Sequence, residues 1–245
     1  MISSSGSIPL FRFAGIRVYL HFTWFIVAAF IITSMRDRYD APAFAAYGYL
    51  GLFLIVLMHE FGHALACRQV GGRAEEIILW PLGGVAFVSP PPRAGAMLWS
   101  IVAGPLVNVA LIPIFHFALL FLIDSPAVAR NPDIYRLVRD LAWVNQIILV
   151  FNLLPIYPLD GGQILRSLLW FPLGRIRSLQ IASAVGLLGG AALAAYAFMA
   201  RSLWLGLLAF FLLSQAGAGW QTGKALAAEE AEAKRLRDDG TKPLL

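Results

Sequence analysis

Six long apolar segments, separated by short polar connections, make up most of the chain. A helix needs about 20 mainly apolar residues to cross a bilayer. The segments run from Val18 to Thr33 and over about 43–67, 97–123, 141–157, 179–200 and 203–219. The pattern therefore predicts an all-α polytopic membrane protein with six transmembrane helices. Six crossings place both termini on the same side.

The first apolar segment has two interpretations. Arg12 and Arg17 precede it, as basic residues precede the apolar part of a secretory signal peptide. However, Met35-Arg-Asp-Arg38 follows directly, without a small-x-small cleavage site. A retained first membrane helix is the favoured interpretation, and a signal peptide is the alternative.

Composition supports a lipid environment. Hydrophobic residues make up 59% of the chain, charged residues 13%, and the mean hydropathy is +0.73. These values lie outside the range of soluble domains. Cys67 is the single cysteine, so the chain has no intramolecular disulfide and no thiolate-rich zinc site. We expect Cys67 to be a packing residue.

The distribution of basic residues predicts the orientation. With a cytoplasmic N-terminus, 13 of the 19 Lys and Arg residues fall on the inner side of the six predicted spans. Cytoplasmic loops of membrane proteins carry such an excess, which favours both termini in the cytoplasm and an inner-membrane location. The net charge of +5 suits an anionic leaflet, and nothing indicates nucleic-acid binding.

Two pieces of the chain interrupt the apolar pattern. Residues 75–89 form two β-rich runs around Gly83-Gly84, which predicts a small membrane-associated β-hairpin between helices 2 and 3. Its free edge is either hydrated at the interface or adds a strand from an extended substrate. The other piece is the charged, helix-forming tail. We therefore divide the chain into a membrane domain, 1–221, and a cytoplasmic tail, 222–245.

The clearest chemical motif is His59-Glu60-Phe-Gly-His63, inside the second apolar segment. Residues four apart share a helix face, so both imidazoles can bind one metal ion, while Glu60 can reach a water molecule on that ion. The alternative is chance placement of structural residues. Three ionisable groups in an apolar helix are costly, however, unless they act together. His21 and His116 are lone histidines in apolar segments and are not assigned to the site.

Asp160 is the strongest candidate for a third ligand. It is the only carboxylate between Leu141 and Trp170, and it lies between Pro155 and Pro158 on one side and Gly161-Gly162 on the other. These residues interrupt a regular helix. The alternative role is N-cap of the following helix. Two histidines and one carboxylate leave a zinc position open for water, as hydrolysis requires.

Three motifs together resemble the site-2 proteases, which are intramembrane zinc metalloproteases. They are the His-Glu motif, Gly104-Pro-Leu-Val-Asn108, and the run from Asn152 to Gly162 that contains Leu159-Asp160-Gly161. The resemblance implies one zinc ion held by His59, His63 and Asp160, with Glu60 as general base. It also implies that Asn108 and Asn152 bind substrate or the developing oxyanion. An interhelical hydrogen bond is the alternative role for Asn108.

The implied activity is cleavage of membrane-spanning substrates within the lipid bilayer. The question whether the protein has a regulatory partner or forms homo-oligomers stays open. Some relatives carry a PDZ domain between the two catalytic motifs, and others carry CBS domains after the last span. From the lengths of the connecting segments, we expect neither domain in this sequence. A metal-binding membrane protein or carrier without proteolytic activity is the alternative. A zinc prenyl-protein endopeptidase would leave the Leu159-Asp-Gly-Gly run unexplained.

Overall fold

The computed structural model describes residues 6–80 and 83–238, with the backbone alone for residues 83–87. The chain divides into two compact units, Met1–Asn152 and Leu153–Leu245. The elements of the first unit are β1 (Ser7–Phe13), β2 (Ile16–His21), α1 (Thr23–Met35), a 3-10 turn (Arg36–Arg38), α2 (Ala43–Gln69), β3 (Arg73–Trp80), β4 (Gly83–Ser89), α3 (Ala94–Ile123), α4 (Pro126–Arg130) and α5 (Asp133–Asn152). The second unit contains α6 (Asp160–Met199) and α7 (Leu203–Asp238).

In the described part of the chain, four helices are long and apolar enough to cross a membrane, namely α2, α3, α6 and α7. The prediction of a mostly helical membrane fold is confirmed at this level, but the count of six spans is not. Helix α1 has 13 residues, fewer than the 17 or so that a span needs. Helix α5 has 20 residues but begins with a charged turn.

The predicted first membrane helix is wrong over its first turn. Residues 18–21 belong to strand β2, and helix α1 begins only at Thr23. The reason is visible in the burial of alternate side chains. Ile16, Val18 and Leu20 are buried, whereas Arg17 is exposed. This two-residue period is that of a strand with one covered face.

The predicted hairpin is part of a four-stranded sheet, so the all-α prediction needs correction. The strand order is β1-β2-β3-β4. Strands β2 and β3 are parallel, from Arg17 opposite Glu76 to Leu20 opposite Leu79, and the other two pairings are antiparallel. Gly83 and Gly84 lie within β4 rather than in the turn. The connection at 81–82 is outside the described residues. Within this sheet, β4 is an edge strand.

Helix α2 packs on the sheet and carries the His-Glu motif. Ile16, Val18, Ile77 and Leu79 form one buried core with Leu57, Ala64 and Cys67 of α2. Cys67 is therefore a packing residue, as the sequence predicts. Because this core brackets residues 59–63, it fixes the height and rotation of the helix that bears both histidines.

Two glycines allow other helices to approach α2 closely. A Cβ at Gly62 would lie 2.6 Å from the carbonyl oxygen of Ala103 on α3. A Cβ at Gly51 would lie 2.5 Å from Leu141 Cδ2 on α5. At Gly62 the obstacle is backbone, so α3 packs against α2 at a separation that only glycine permits. At Gly51 the obstacle is the Leu141 side chain, which occupies the space of a Cβ.

Polar contacts hold the start of α5 against the segment that follows α1. Asp133 is fully buried. It accepts hydrogen bonds from the Ala41 backbone N–H at 2.8 Å and from Arg136 at 2.9 Å. Burial alone would raise the pKa of Asp133, but backbone N–H donors from Ala41 and Asp40 and the Arg136 guanidinium outweigh it and lower the pKa. The charged carboxylate is therefore the form that this contact stabilises.

We expect Asp133→Asn to lower the melting temperature at neutral pH and to leave it nearly unchanged in acid. A carboxylate with a lowered folded-state pKa adds stability above its unfolded pKa of about 3.9 and loses it as the pH falls through the folded value. The wild type and variant should therefore begin to converge below about pH 4 and meet only below the lowered folded-state pKa. Melting temperatures measured from pH 3 to pH 8 in one detergent test this. A difference that persists unchanged at pH 3 would contradict it.

The second unit is an α-helical hairpin with a folded segment before it. Residues 153–159 lie against the first turn of α6. A Cβ at Gly161 would be 2.2 Å from the Leu153 carbonyl oxygen, and one at Gly162 would be 2.3 Å from the Tyr157 nitrogen. The two glycines therefore let this segment fold back onto the helix start at Asp160. Helix α7 continues through residue 221 to Asp238, and the division at 221 stays a prediction.

Candidate metal centre

His59 and His63 lie on one face of α2, as their spacing predicts. Both are buried, with 4% and 6% of their surface exposed. Their Nε2 atoms are 3.0 Å apart. Two buried imidazoles therefore direct the same ring nitrogen toward one point inside the first unit.

The Nδ1 atoms define the tautomers. His59 Nδ1 lies 2.6 Å from Asn108 Oδ1, and His63 Nδ1 lies 2.9 Å from the Ser100 carbonyl oxygen. Both partners are acceptors, so each Nδ1 carries the proton and donates it. In a neutral imidazole, the other nitrogen then has a lone pair. Both Nε2 atoms are therefore prepared as metal ligands.

A zinc ion fits this pair of nitrogens. Two lone pairs 3.0 Å apart repel each other, and a shared cation converts that repulsion into attraction. Zinc–nitrogen bonds are about 2.0–2.1 Å long, so two atoms at this separation can bind one ion. The hydrogen bonds at Nδ1 are also the kind that fix metal-bound histidines.

Gly104 of α3 keeps the space beside the two ligand atoms open. A Cβ at this position would lie 2.3 Å from His63 Nε2 and 2.9 Å from His59 Nε2. Any side chain would displace both imidazoles. The Gly104 in the motif Gly104-x-x-x-Asn108 therefore supplies space, and Asn108 one turn later supplies the acceptor for His59.

The remaining predicted site residues lie on α2, α5 and α6. Glu60 is adjacent to His59 on α2 and is 6% exposed. Asp160 is the first residue of α6 and is 9% exposed. Leu159 occupies the N-cap position, so Asp160 is not the N-cap. Asn152 ends α5 and is half-buried.

Asp160 begins α6 of the second unit, and its membership in the predicted metal site with His59 and His63 stays a prediction. The two other histidines of the sequence are not members of it. His21 Nδ1 contacts Thr23 Oγ1 at 2.7 Å, and His116 is exposed on α3. Leaving both out of the site is therefore consistent with the structure.

Sequence reasoning missed Asn145 and the carbonyl of Ser100. Asn145 on α5 is fully buried, and its Oδ1 accepts a hydrogen bond from Asn108 Nδ2 at 2.8 Å. Its signal in the sequence was an amide inside an apolar segment. Ser100 contributes a backbone atom, so its side chain gave no indication of the contact.

Comparison with known proteins identifies the family. The family model described as peptidase family M50 matches residues 47–131 and 122–196. The chain belongs to peptidase family M50. The matched residues include His59, His63, Asn108 and Asp160, and membership agrees with the several apolar helices of a membrane protein. The sequence resemblance to site-2 proteases is thereby confirmed.

Individual M50 relatives support the assignment. The chain is 36% identical over 180 residues to a zinc metalloprotease of Methanocaldococcus jannaschii, covering 74% of this chain and 50% of that protein. It is 31% identical over 156 residues to stage IV sporulation protein FB of Bacillus subtilis, covering 61% of this chain and 46% of that protein. The chain thus spans about half the length of these curated relatives.

A solved M50 structure has the same fold. The site-2 protease from Methanocaldococcus jannaschii matches with a TM-score of 0.62 and 28% identity, over 87% of this chain and 95% of that chain. The match extends well beyond the residues that carry the sequence motifs. The fold and the histidine geometry therefore point to the same family.

Proposed function

We propose that this protein is an intramembrane zinc metalloprotease that hydrolyses peptide bonds in or near transmembrane segments of membrane proteins. The observation that carries the proposal is the pair of buried Nε2 atoms, 3.0 Å apart, on an apolar helix. Their Nδ1 hydrogen bonds prepare them for a metal, and Glu60 stands beside them. The Methanocaldococcus jannaschii relative, which is named a zinc metalloprotease, supports the same assignment.

We propose that His59, His63 and Asp160 hold one zinc ion. The donor set of two imidazoles and one carboxylate is that of catalytic rather than purely structural zinc sites. When bound, zinc polarises a peptide carbonyl and makes water acidic near neutral pH. The carboxylate of Asp160, at the start of α6, contributes the negative charge that two neutral imidazoles lack.

Glu60 is the proposed general base. A carboxylate next to the first histidine ligand can take a proton from the attacking water and deliver it to the leaving amine. Glu60 is buried in the same turn of α2 as His59. Removing bulk water from its surroundings favours directed proton transfer over loss of the proton to solvent.

The substrate must present an unwound peptide bond, because an intact membrane helix shields its own backbone. The freed N–H and C=O groups need partners inside the membrane. Strand β4 lies at the edge of the sheet, so we propose its outer edge as the place where a substrate strand adds. The alternative is that water hydrates this edge. Asn152 is proposed to bind substrate or the oxyanion. Both amide atoms of Asn108 already have partners, which favours its alternative interhelical role.

The basic residues favour an inner-membrane location with both termini in the cytoplasm. In this arrangement, residues 222–245 form a charged cytoplasmic tail after the membrane domain. The proposed partners are the substrate helix and the bilayer. The question whether a regulatory protein or a second copy of the chain also binds stays open.

A metal carrier without proteolytic activity is the second candidate. A carrier needs ligands distributed along a path, whereas the Nε2 atoms of His59 and His63 meet at one point, 3.0 Å apart. Cleavage of a single-span membrane protein by the purified chain, compared with Glu60→Gln, separates the two functions. Only a protease loses an activity in that variant.

A further inference from the structure

We propose that Asn145 is a positioning residue that sets the tautomer of His59 through Asn108, and thereby links helix α5 to zinc affinity. The inference rests on the proposed function, because it takes zinc as the metal. Asn145 acts at a distance, because its two hydrogen bonds go to Asn108 and not to the proposed metal ligands or to Glu60.

The contact is a buried chain of three side chains from three helices. His59 Nδ1 donates to Asn108 Oδ1 at 2.6 Å, and Asn108 Nδ2 donates to Asn145 Oδ1 at 2.8 Å. Asn145 Nδ2 then donates to the Asn108 backbone carbonyl at 2.9 Å. Asn108 and Asn145 are both fully buried, so solvent does not compete for these bonds.

Asn145 decides which end of the Asn108 amide faces His59. Asn145 Nδ2 donates to a backbone carbonyl, which can only accept a hydrogen bond. This bond fixes the orientation of the Asn145 amide, so its Oδ1 faces Asn108 Nδ2. Asn108 must then direct Nδ2 to Asn145 and Oδ1 to His59. A reversed Asn108 amide would present a donor to His59 Nδ1. The proton of His59 would move to Nε2, the atom that has to bind zinc.

Helix packing places Asn145 at the required height. Leu137, Leu141 and Asn145 follow one another at four-residue intervals on α5, which puts them on one face. A Cβ at Gly48 would touch Leu137 at 3.7 Å, and one at Gly51 would collide with Leu141. The two leucines therefore set the register of α5 on α2, and Asn145 continues the same face toward Asn108.

The test is zinc affinity, measured by chelator competition on the full chain in detergent. We expect Asn145→Leu to weaken zinc binding about 10–100-fold, the usual effect of disturbing a hydrogen-bond partner of a metal ligand, which here is Asn108. Gln146→Leu removes an exposed amide from the same helix and serves as the matched control. It should bind zinc like the wild type. Asn145→Ser, whose hydroxyl is too short to orient the amide, provides a second variant with less change in packing.

A rescue experiment separates positioning from a general loss of structure. In the Asn145→Leu background, Asn108→Asp should recover zinc affinity, because either carboxylate oxygen accepts from His59 Nδ1 and no orientation is needed. A purely structural Asn145 would show no such recovery. If Asn145→Leu and Asn145→Ser bind zinc as tightly as the wild type does, this inference is overturned and the proposed function is not. Absence of zinc binding in the wild type would instead overturn the proposed function.

Discussion

Replacing Glu60 with Gln is expected to lower the rate of substrate cleavage by about 10²–10⁴-fold, the usual contribution of a general base. Glutamine has nearly the same shape but cannot accept a proton from water at neutral pH. His59 Nδ1 bonds to Asn108 and His63 Nδ1 bonds to the Ser100 carbonyl, so these two orienting hydrogen bonds do not use residue 60. Zinc content should therefore stay at the wild-type value while the activity falls.

The measurement is cleavage of one single-span membrane protein in the same detergent, with zinc content determined on each preparation. Glu229→Gln, an exposed substitution on α7, is the matched control and should cleave like the wild type. Equal cleavage by Glu60→Gln and the wild type would remove Glu60 from the mechanism. A protein that binds zinc but cleaves no tested substrate with Glu60 intact would favour the carrier.

Gly104→Ala is expected to weaken zinc binding by at least about 100-fold, the upper end of the effect of disturbing the contacts of metal ligands. The added Cβ would lie 2.3 Å from His63 Nε2 and 2.9 Å from His59 Nε2. Either α3 moves away from α2 or both imidazoles rotate. Both changes break the Nδ1 hydrogen bonds that prepare the ligands. Cleavage should fall in parallel with zinc affinity.

The matched controls for Gly104→Ala are Gly206→Ala and Gly217→Ala. Both glycines lie in a helix with nothing within 4 Å of an added Cβ, so the same substitution should leave zinc binding unchanged. Because alanine favours helix more than glycine does, the controls should also melt no lower than the wild type. Wild-type zinc affinity in Gly104→Ala would show that the close approach of α3 to the histidines is not needed for binding.

The convergence of the two proposed ligands on α2 was predictable because their spacing is local. His59 and His63 are four residues apart, and a single helix brings them together whatever the rest of the fold does. Their hydrogen-bond partners were not predictable in the same way. Asn108 and Asn145 lie on α3 and α5, which pack beside α2 where Gly62 and Gly51 leave room for them. No periodic pattern in the sequence encodes such a pairing between distant segments.

The sheet also shows that local sequence patterns do not encode the pairing of distant segments. The sequence between residues 75 and 89 indicated two strands correctly, because a hairpin is a local structure. Strand β2 was merged with helix α1 because Val18–His21 is as apolar as the helix that follows it. Its strand conformation depends on parallel pairing with β3, more than 50 residues later in the chain. Apolar content alone does not distinguish a buried strand from the start of a membrane helix.

Asp160 lies between these two cases. Two prolines before it and two glycines after it correctly predicted a break in the helical pattern. The structure shows what the glycines do, since Gly161 and Gly162 allow residues 153–159 to lie against the first turn of α6. The assignment of Asp160 as third ligand depends on the chemistry of the donor set, and it stays a prediction that metal analysis can test.

Zinc content per purified chain, measured in the wild type beside His59→Ala and Asp160→Ala, tests the central claim most directly. His116→Ala, which removes an exposed histidine of α3, is the control. We predict about one zinc ion per chain in the wild type and the control, as expected for one catalytic site, and loss of the metal in the two ligand variants. Full zinc retention in Asp160→Ala would contradict the proposed ligand set and place the third ligand elsewhere.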